Sequence, residues 1–135
     1  MRYAICYVST VSKDVEEREI KEILNYSEEY NNDHDIRGVL LYAGGNFFEI
    51  LEGEKPEVGE VYENIKKDPR HNNIIQIVGK NISRGAFDGF KAEMVNDQNK
   101  CDYELVEEYM EQVEGLDHQT QEVVKQILEV FIDTR

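Results

Sequence analysis

Alternation of apolar and polar positions marks the first element. Across Arg2–Ser9, Tyr3, Ile5, Tyr7 and Ser9 share one face of a strand, and Ala4, Cys6 and Val8 share the other. Both faces are largely apolar, which predicts a central strand. From Asp14 to Asn31 the period lengthens, and Ile20, Ile23, Leu24, Ser27 and Asn31 line one stripe of a helix. Val39–Tyr42 and Asn46–Leu51 read as strands joined by the Gly44-Gly45 turn. Val58–Lys66 reads as a second helix, stopped at Asp68-Pro69. Ile74–Val78 and Phe87–Val95 are the remaining strands, and Tyr103–Val113 and Thr120–Ile132 a closing helical pair.

The order β-α-β-β-α-β-β predicts an α+β fold. Its first six elements follow the ferredoxin-like pattern, with two helices on one face of the sheet. The last helix carries Val123, Val124, Ile127, Leu128 and Phe131 at the spacing needed to cover the other face. The expected division is a sheet-and-helix module over residues 1–97 and a two-helix extension over 98–135.

Composition narrows the function classes. The 135 residues suit one domain, and a formal net charge of −14 repels phosphate backbones and anionic membranes. Nucleic acid and membrane are therefore not expected partners. Cys6 and Cys101 lack metal-ligand or CxxC spacing, which suits a reducing, cytoplasmic setting. Neither a signal peptide nor an apolar run of spanning length is read in the chain.

Candidate chemistry lies where polar side chains interrupt apolar faces. Ile23, Ser27 and Asn31 follow at i, i+4 and i+8, although an amide at that place also serves as a helix cap. Glu49 stands between Phe47 and Leu51 on one face of its strand. A carboxylate buried there is costly unless paired or neutralised, so its pKa should rise; on an edge strand it would simply face water. Tyr7 needs a partner for its hydroxyl if buried. Arg70 and His71, in the turn Asp68-Pro69-Arg70-His71, have the chemistry to hold a phosphate, or form a polar turn. With Ile23, Leu40 and Phe47 to pack on rings, these groups suggest a pocket for a planar, phosphate-bearing ligand.

Several segments resemble the BLUF family of blue-light sensors. Tyr7-Val8-Ser9-Thr10 is similar to its Tyr-x-Ser-Thr opening, and Ile36-Arg37-Gly38-Val39-Leu40-Leu41-Tyr42 to its Ile-Thr-Gly-x-Leu-Leu-Tyr strand. Phe47-Phe48-Glu49-Ile50-Leu51-Glu52-Gly53 resembles Phe-x-Gln-x-Leu-Glu-Gly, and Asp68-Pro69-Arg70-His71 matches Asp-Pro-Arg-His. Tyr7, Asn31 and position 49 are spaced by 24 and 18, as in that family. The resemblance runs from about residue 2 to residue 95.

The resemblance implies a photoreceptor that binds a flavin non-covalently: usually FAD, with FMN and riboflavin as alternatives. It places Asn31 on the ring edge, and Ile23, Leu40 and Phe47 around the ring. Ser27, Asp68, Arg70 and His71 lie toward the ribityl and phosphate, and Tyr7 is the electron and proton donor. Three positions depart from the family pattern. Its active-site glutamine is Glu49, its last-strand tryptophan is Phe90, and its nearby methionine is Ala92. An ionised carboxylate only accepts hydrogen bonds, so the expected form is a neutral Glu49 between Tyr7 and the flavin. The signal is expected to reach a downstream protein through the terminal helices, and a homo-oligomer is compatible. A light-insensitive flavin-binding or interaction module is the alternative. An enzyme is not expected, because no nucleophile-base constellation appears, and no metal site is expected either.

Overall fold

The computed structural model describes residues 2–82 and 87–94. Five strands form one sheet in the order β4-β1-β3-β2-β5. Strand β1 (Arg2–Val11) pairs antiparallel with β3 (Asn46–Glu54) on one side and β4 (His71–Asn81) on the other. Strand β2 (Arg37–Ala43) pairs antiparallel with β3 and parallel with β5 (Phe90–Met94). Helices α1 (Glu17–Asp33) and α2 (Lys55–Lys67) share a single core with one face of this sheet. The expected α+β, ferredoxin-like arrangement is present, and β1 is central, as its two apolar faces require.

That core is built from the inward positions of each strand and helix. Ile5 and Tyr7 from β1, Phe47 and Leu51 from β3, and Leu40 from β2 meet Ile20, Ile23 and Leu24 of α1 and Val58 and Tyr62 of α2. On the opposite face Leu41, Phe48 and Ile50 are also buried. The segments expected to cover that face, 103–113 and 120–132, lie outside the described residues, as does Val95. Among the described residues no helix is long and apolar enough to cross a membrane.

Several boundaries differ from the sequence reading. Helix α1 starts at Glu17, not Asp14, because Asp14 sits in a turn at φ 73°. It runs on to Asp33, and the Asn31 carbonyl accepts the His34 and Ile36 amides that close it. Asn31 thus ends the helix through its backbone and keeps its side chain for other use. Helix α2 begins at Lys55, with Pro56 in the first turn, where its missing N–H costs no intrahelical bond. Strand β4 extends beyond Ile74–Val78 at both ends because His71, Asn72 and Asn81 still pair with β1. Strand β5 begins at Phe90 rather than Phe87.

Two glycine positions fix the sheet geometry. A Cβ on Gly38, at φ 137°, would lie 1.9 Å from the Ile50 carbonyl oxygen, so only glycine lets β2 approach β3 there. Gly44 and Gly45, both at positive φ, make the expected turn between the same strands.

Candidate functional site

Sheet register brings the candidate residues together. Tyr7 on β1 stands opposite Glu49 on β3, Glu49 opposite Leu40 on β2, and Leu40 opposite Ala92 on β5. This row crosses four adjacent strands beneath the helices. Above it, α1 and α2 diverge into a cleft of about 130 Å³. Tyr7, Leu40 and Glu49 line its floor; Ile23, Ser27 and Asn31 line it from α1; Asp68, Arg70 and His71 close one end.

Glu49 is 2% exposed and lies on an interior strand, so it cannot turn to water. Its Oε1 accepts a hydrogen bond from the Tyr7 hydroxyl. Burial pushes its carboxyl from 4.5 up to about 8, and the bond from Tyr7 offsets only part of that rise. Burial thus favours the protonated carboxyl, a form that has one proton to donate as well as an acceptor for Tyr7. Burial, reinforced by Glu49, also holds the Tyr7 phenol well above its ordinary value. On the far face of β1, burial of Cys6 and the same carboxyl push its thiol far up, which leaves it unreactive.

Asn31 is 2% exposed, yet its side-chain amide has no hydrogen-bond partner among the described residues. An amide left without a protein partner at the wall of a cleft is available to a ligand or water there. It faces the cleft beside Glu49.

The turn at the end of the cleft is less cationic than the sequence suggested. The Arg70 Nε and Nη2 donate to both Asp68 carboxylate oxygens, at 2.8–3.2 Å. Burial works against the Asp68 charge, but the bonds from Arg70 outweigh it and hold the carboxyl below its usual range. His71 opens β4, with Nδ1 3.1 Å from the Ser9 hydroxyl oxygen, and burial lowers its pKa toward the neutral form. Arg70 is thus a paired cation and His71 a neutral ring.

Three sequence candidates do not line the cleft. Phe47 is fully buried one row away, its ring 4.7 Å from that of His71 and 4.9 Å from that of Tyr42. It packs against His71 and Tyr42 and is not among the residues that line the cleft. Phe90 and Ala92 lie under α1, where β5 is tied to the helix. The Asn32 side chain accepts from the Phe90 amide at 2.9 Å and donates to its carbonyl at 3.0 Å. The Ala92 amide donates to Glu28 Oε1 at 2.9 Å.

Sequence reasoning missed Asn32 and Glu28, and also Tyr26, Tyr30, Val61, Asn64 and Ile65, which line the cleft. The spacing of 61, 64 and 65 on one helix face was the available signal for α2. Among the described residues no cluster of three or more metal-ligating side chains occurs.

Comparison with known proteins gives the family. The family described as sensors of blue-light using FAD matches residues 3–93. The blue light- and temperature-regulated antirepressor BluF of Escherichia coli is 33% identical over 78 residues, 58% of this chain and 19% of that protein. Photoactivated adenylate cyclase subunit beta of Euglena longa is 29% identical over 83 residues, 62% of this chain and 10% of that one. The chain thus spans a fifth or less of either curated relative. Among solved structures, BlsA in its photo-activated state superposes with a TM-score of 0.68 at 27% identity, covering 100% of this chain and 97% of that one. The chain belongs to the BLUF family of flavin-binding blue-light sensors.

Proposed function

We propose that this chain is a blue-light sensor that holds FAD in the cleft between α1 and α2 and switches through Tyr7 and a neutral Glu49. The observation that carries this reading is the Tyr7–Glu49 hydrogen bond beside the Asn31 amide, which has no hydrogen-bond partner among the described residues. Together they offer a planar heterocycle the donors and the acceptor that its carbonyl and imide groups require. Ile23, Leu40, Val61 and Ile65 supply apolar contact for its faces. Ser27, Asp68, Arg70 and His71 are assigned to the sugar-phosphate end.

A bound flavin supplies a light-excited acceptor for one electron and one proton. Tyr7 is placed to give up both. With a flavin bound, its hydroxyl proton would pass to Glu49 Oε1, and the carboxyl proton on Oε2 would be the one available to the cleft. The carboxyl stays neutral throughout and ends with its proton on the other oxygen. A carboxylic acid does this without the amide rearrangement that a glutamine needs. The changed hydrogen bonds in the floor row reach β5 through Leu40 and Ala92.

The family match ending at residue 93 supports a light-sensing module over 1–97, with 98–135 as the output extension toward a partner protein. The relative named a blue light- and temperature-regulated antirepressor supports signalling to another protein. Departures from the family pattern at Glu49, Phe90 and Ala92 favour a second reading, a flavin-binding module without a light switch.

A visible absorption spectrum in the dark and after blue light separates the two. Flavin bands with a small, reversible red shift are the expected result. Flavin bands without the shift select the second reading, and Glu49→Gln should then restore the shift. Absence of flavin after reconstitution with FAD refutes both.

A further inference from the structure

A stack of rings runs along α1 and out of the cleft. Tyr26, Tyr30 and His34 recur every four residues, so they follow one another along one face. The Tyr26 and Tyr30 rings stack at 5.7 Å with their planes 26° apart, and Tyr30 and His34 at 3.9 Å and 14°. His34 Nδ1 lies 2.7 Å from the Tyr30 carbonyl oxygen, which holds the end of the stack in place. His34 does not line the cleft, and Tyr26 is 65% exposed, one of two large apolar side chains left open among the described residues. Tyr30 backs Tyr26 on one side, and the neighbour one turn earlier is the exposed Glu22. Charge around the stack has one sign. At 3.6 residues per turn, Glu19, Glu22, Glu29 and Asp33 lie close to the direction of Tyr26, and no lysine or arginine of α1 lies closer. None of these four carboxylates is in a salt bridge among the described residues. Arg70 feels Glu19 and Glu22, but it is held by both oxygens of Asp68.

We propose that Tyr26 and Glu22 form a docking site for an arginine side chain on a basic segment of a partner protein. The guanidinium stacks on the open face of Tyr26 and pairs with the Glu22 carboxylate. Arginine suits both demands at once, because its charge is carried on a flat fork that stacks on a ring and binds a carboxylate through two N–H groups. Lysine meets only the charge. The ring is already fixed by Tyr30, so it loses little side-chain entropy on docking. The partner must be basic. A formal net charge of −14 sets two copies of the chain against each other, and it repels nucleic acid in the same way. The site does not depend on whether flavin fills the cleft, and it lies on the helix that presents Ser27 and Asn31 to that cleft.

The test is calorimetric titration of the purified chain with octa-arginine and octa-lysine peptides. An acidic protein attracts both, so the ratio of the two affinities is the readout. The arginine peptide should bind about fivefold more tightly. Raising the salt should weaken both peptides and leave the ratio in place. Tyr26→Ala should bring the ratio close to one, and Tyr26→Phe, which keeps the ring, should retain it. Glu22→Gln should weaken the arginine peptide more than Glu57→Gln, which removes the same charge from α2. Thermal melting checks that the exposed substitutions leave the fold intact. Equal binding of the two peptides, binding of neither, or a ratio that survives Tyr26→Ala overturns the proposal. Self-association of the native chain that Tyr26→Ala abolishes gives the face to a second copy and overturns it as well. None of these outcomes bears on the flavin reading, which the absorption spectrum decides.

Discussion

Replacing Glu49 by glutamine should make the flavin-free protein less sensitive to alkaline pH. The folded carboxyl titrates at about 8 and the unfolded one near 4.5. Between those values the unfolded state has released a proton that the folded state still holds. Raising pH therefore favours unfolding: the stabilisation is complete below 4.5 and is lost as pH rises through 8. At about 1.4 kcal/mol per tenfold change, the displacement is worth about 5 kcal/mol in all. Glutamine keeps an acceptor for the Tyr7 hydroxyl and does not titrate. Comparing the two proteins at each pH cancels the titration of the other acidic groups. Urea unfolding from pH 5 to 9 should thus show a midpoint gap that widens in favour of Glu49→Gln. With a slope of about 2 kcal/mol per molar urea, the gap opens by roughly 0.7 M per pH unit. A constant gap would refute the reasoning. A gap opening toward acid would mean that the Tyr7 bond outweighs burial and that Glu49 is ionised in the folded protein.

Tyr7→Phe should abolish any light response and move the Glu49 titration higher still, because the Tyr7 bond is the one influence lowering it; a pH series of unfolding curves on the variant reads this directly. Asn32→Ala removes both side-chain bonds to the Phe90 backbone and should cost about 1–3 kcal/mol. Amide exchange at Phe90 should quicken accordingly, and unchanged protection would show that Asn32 does not hold β5. Gly38→Ala should cost about 3 kcal/mol or more, since its Cβ would meet the Ile50 carbonyl oxygen at 1.9 Å from a backbone at φ 137°. A loss below about 1 kcal/mol in thermal unfolding would contradict that close approach.

The central strand, the hairpin and the first helix were legible because each carries its own periodicity. Alternation told which residues share a face, but not which row each occupies. Glu49 and Phe47 share a face of β3, yet only Glu49 falls under the seam between the helices, while Phe47 sits one row along, behind His71. The Tyr7–Glu49 contact joins residues 42 positions apart and depends on strand register, which no local pattern encodes. Phe90 and Ala92 were drawn toward the site by resemblance, but β5 is tied to α1 through its backbone and neither residue is among those lining the cleft. The pairing within the turn was hidden for a related reason. Counting charges registers Arg70, and only geometry shows that Asp68, two residues earlier, engages it.

Protonation of Glu49 should also govern what the cleft can hold. The neutral carboxyl uses one oxygen as acceptor for Tyr7 and has a proton on the other to donate into the cleft. Ionised, both oxygens accept, and the group repels a ligand carbonyl or ring nitrogen at the same place. A flavin that accepts that proton binds only the protonated form, so its binding and the proton's are linked. Below about pH 8 the affinity should be level, and above it should fall about tenfold per pH unit. In Glu49→Gln, which donates through an amide at every pH, this fall should be absent. Flavin titrations of both proteins from pH 6 to 9.5 decide the matter. Parallel curves would mean that the carboxyl takes no part in holding the ring, and a fall shared by both would place the titrating group elsewhere.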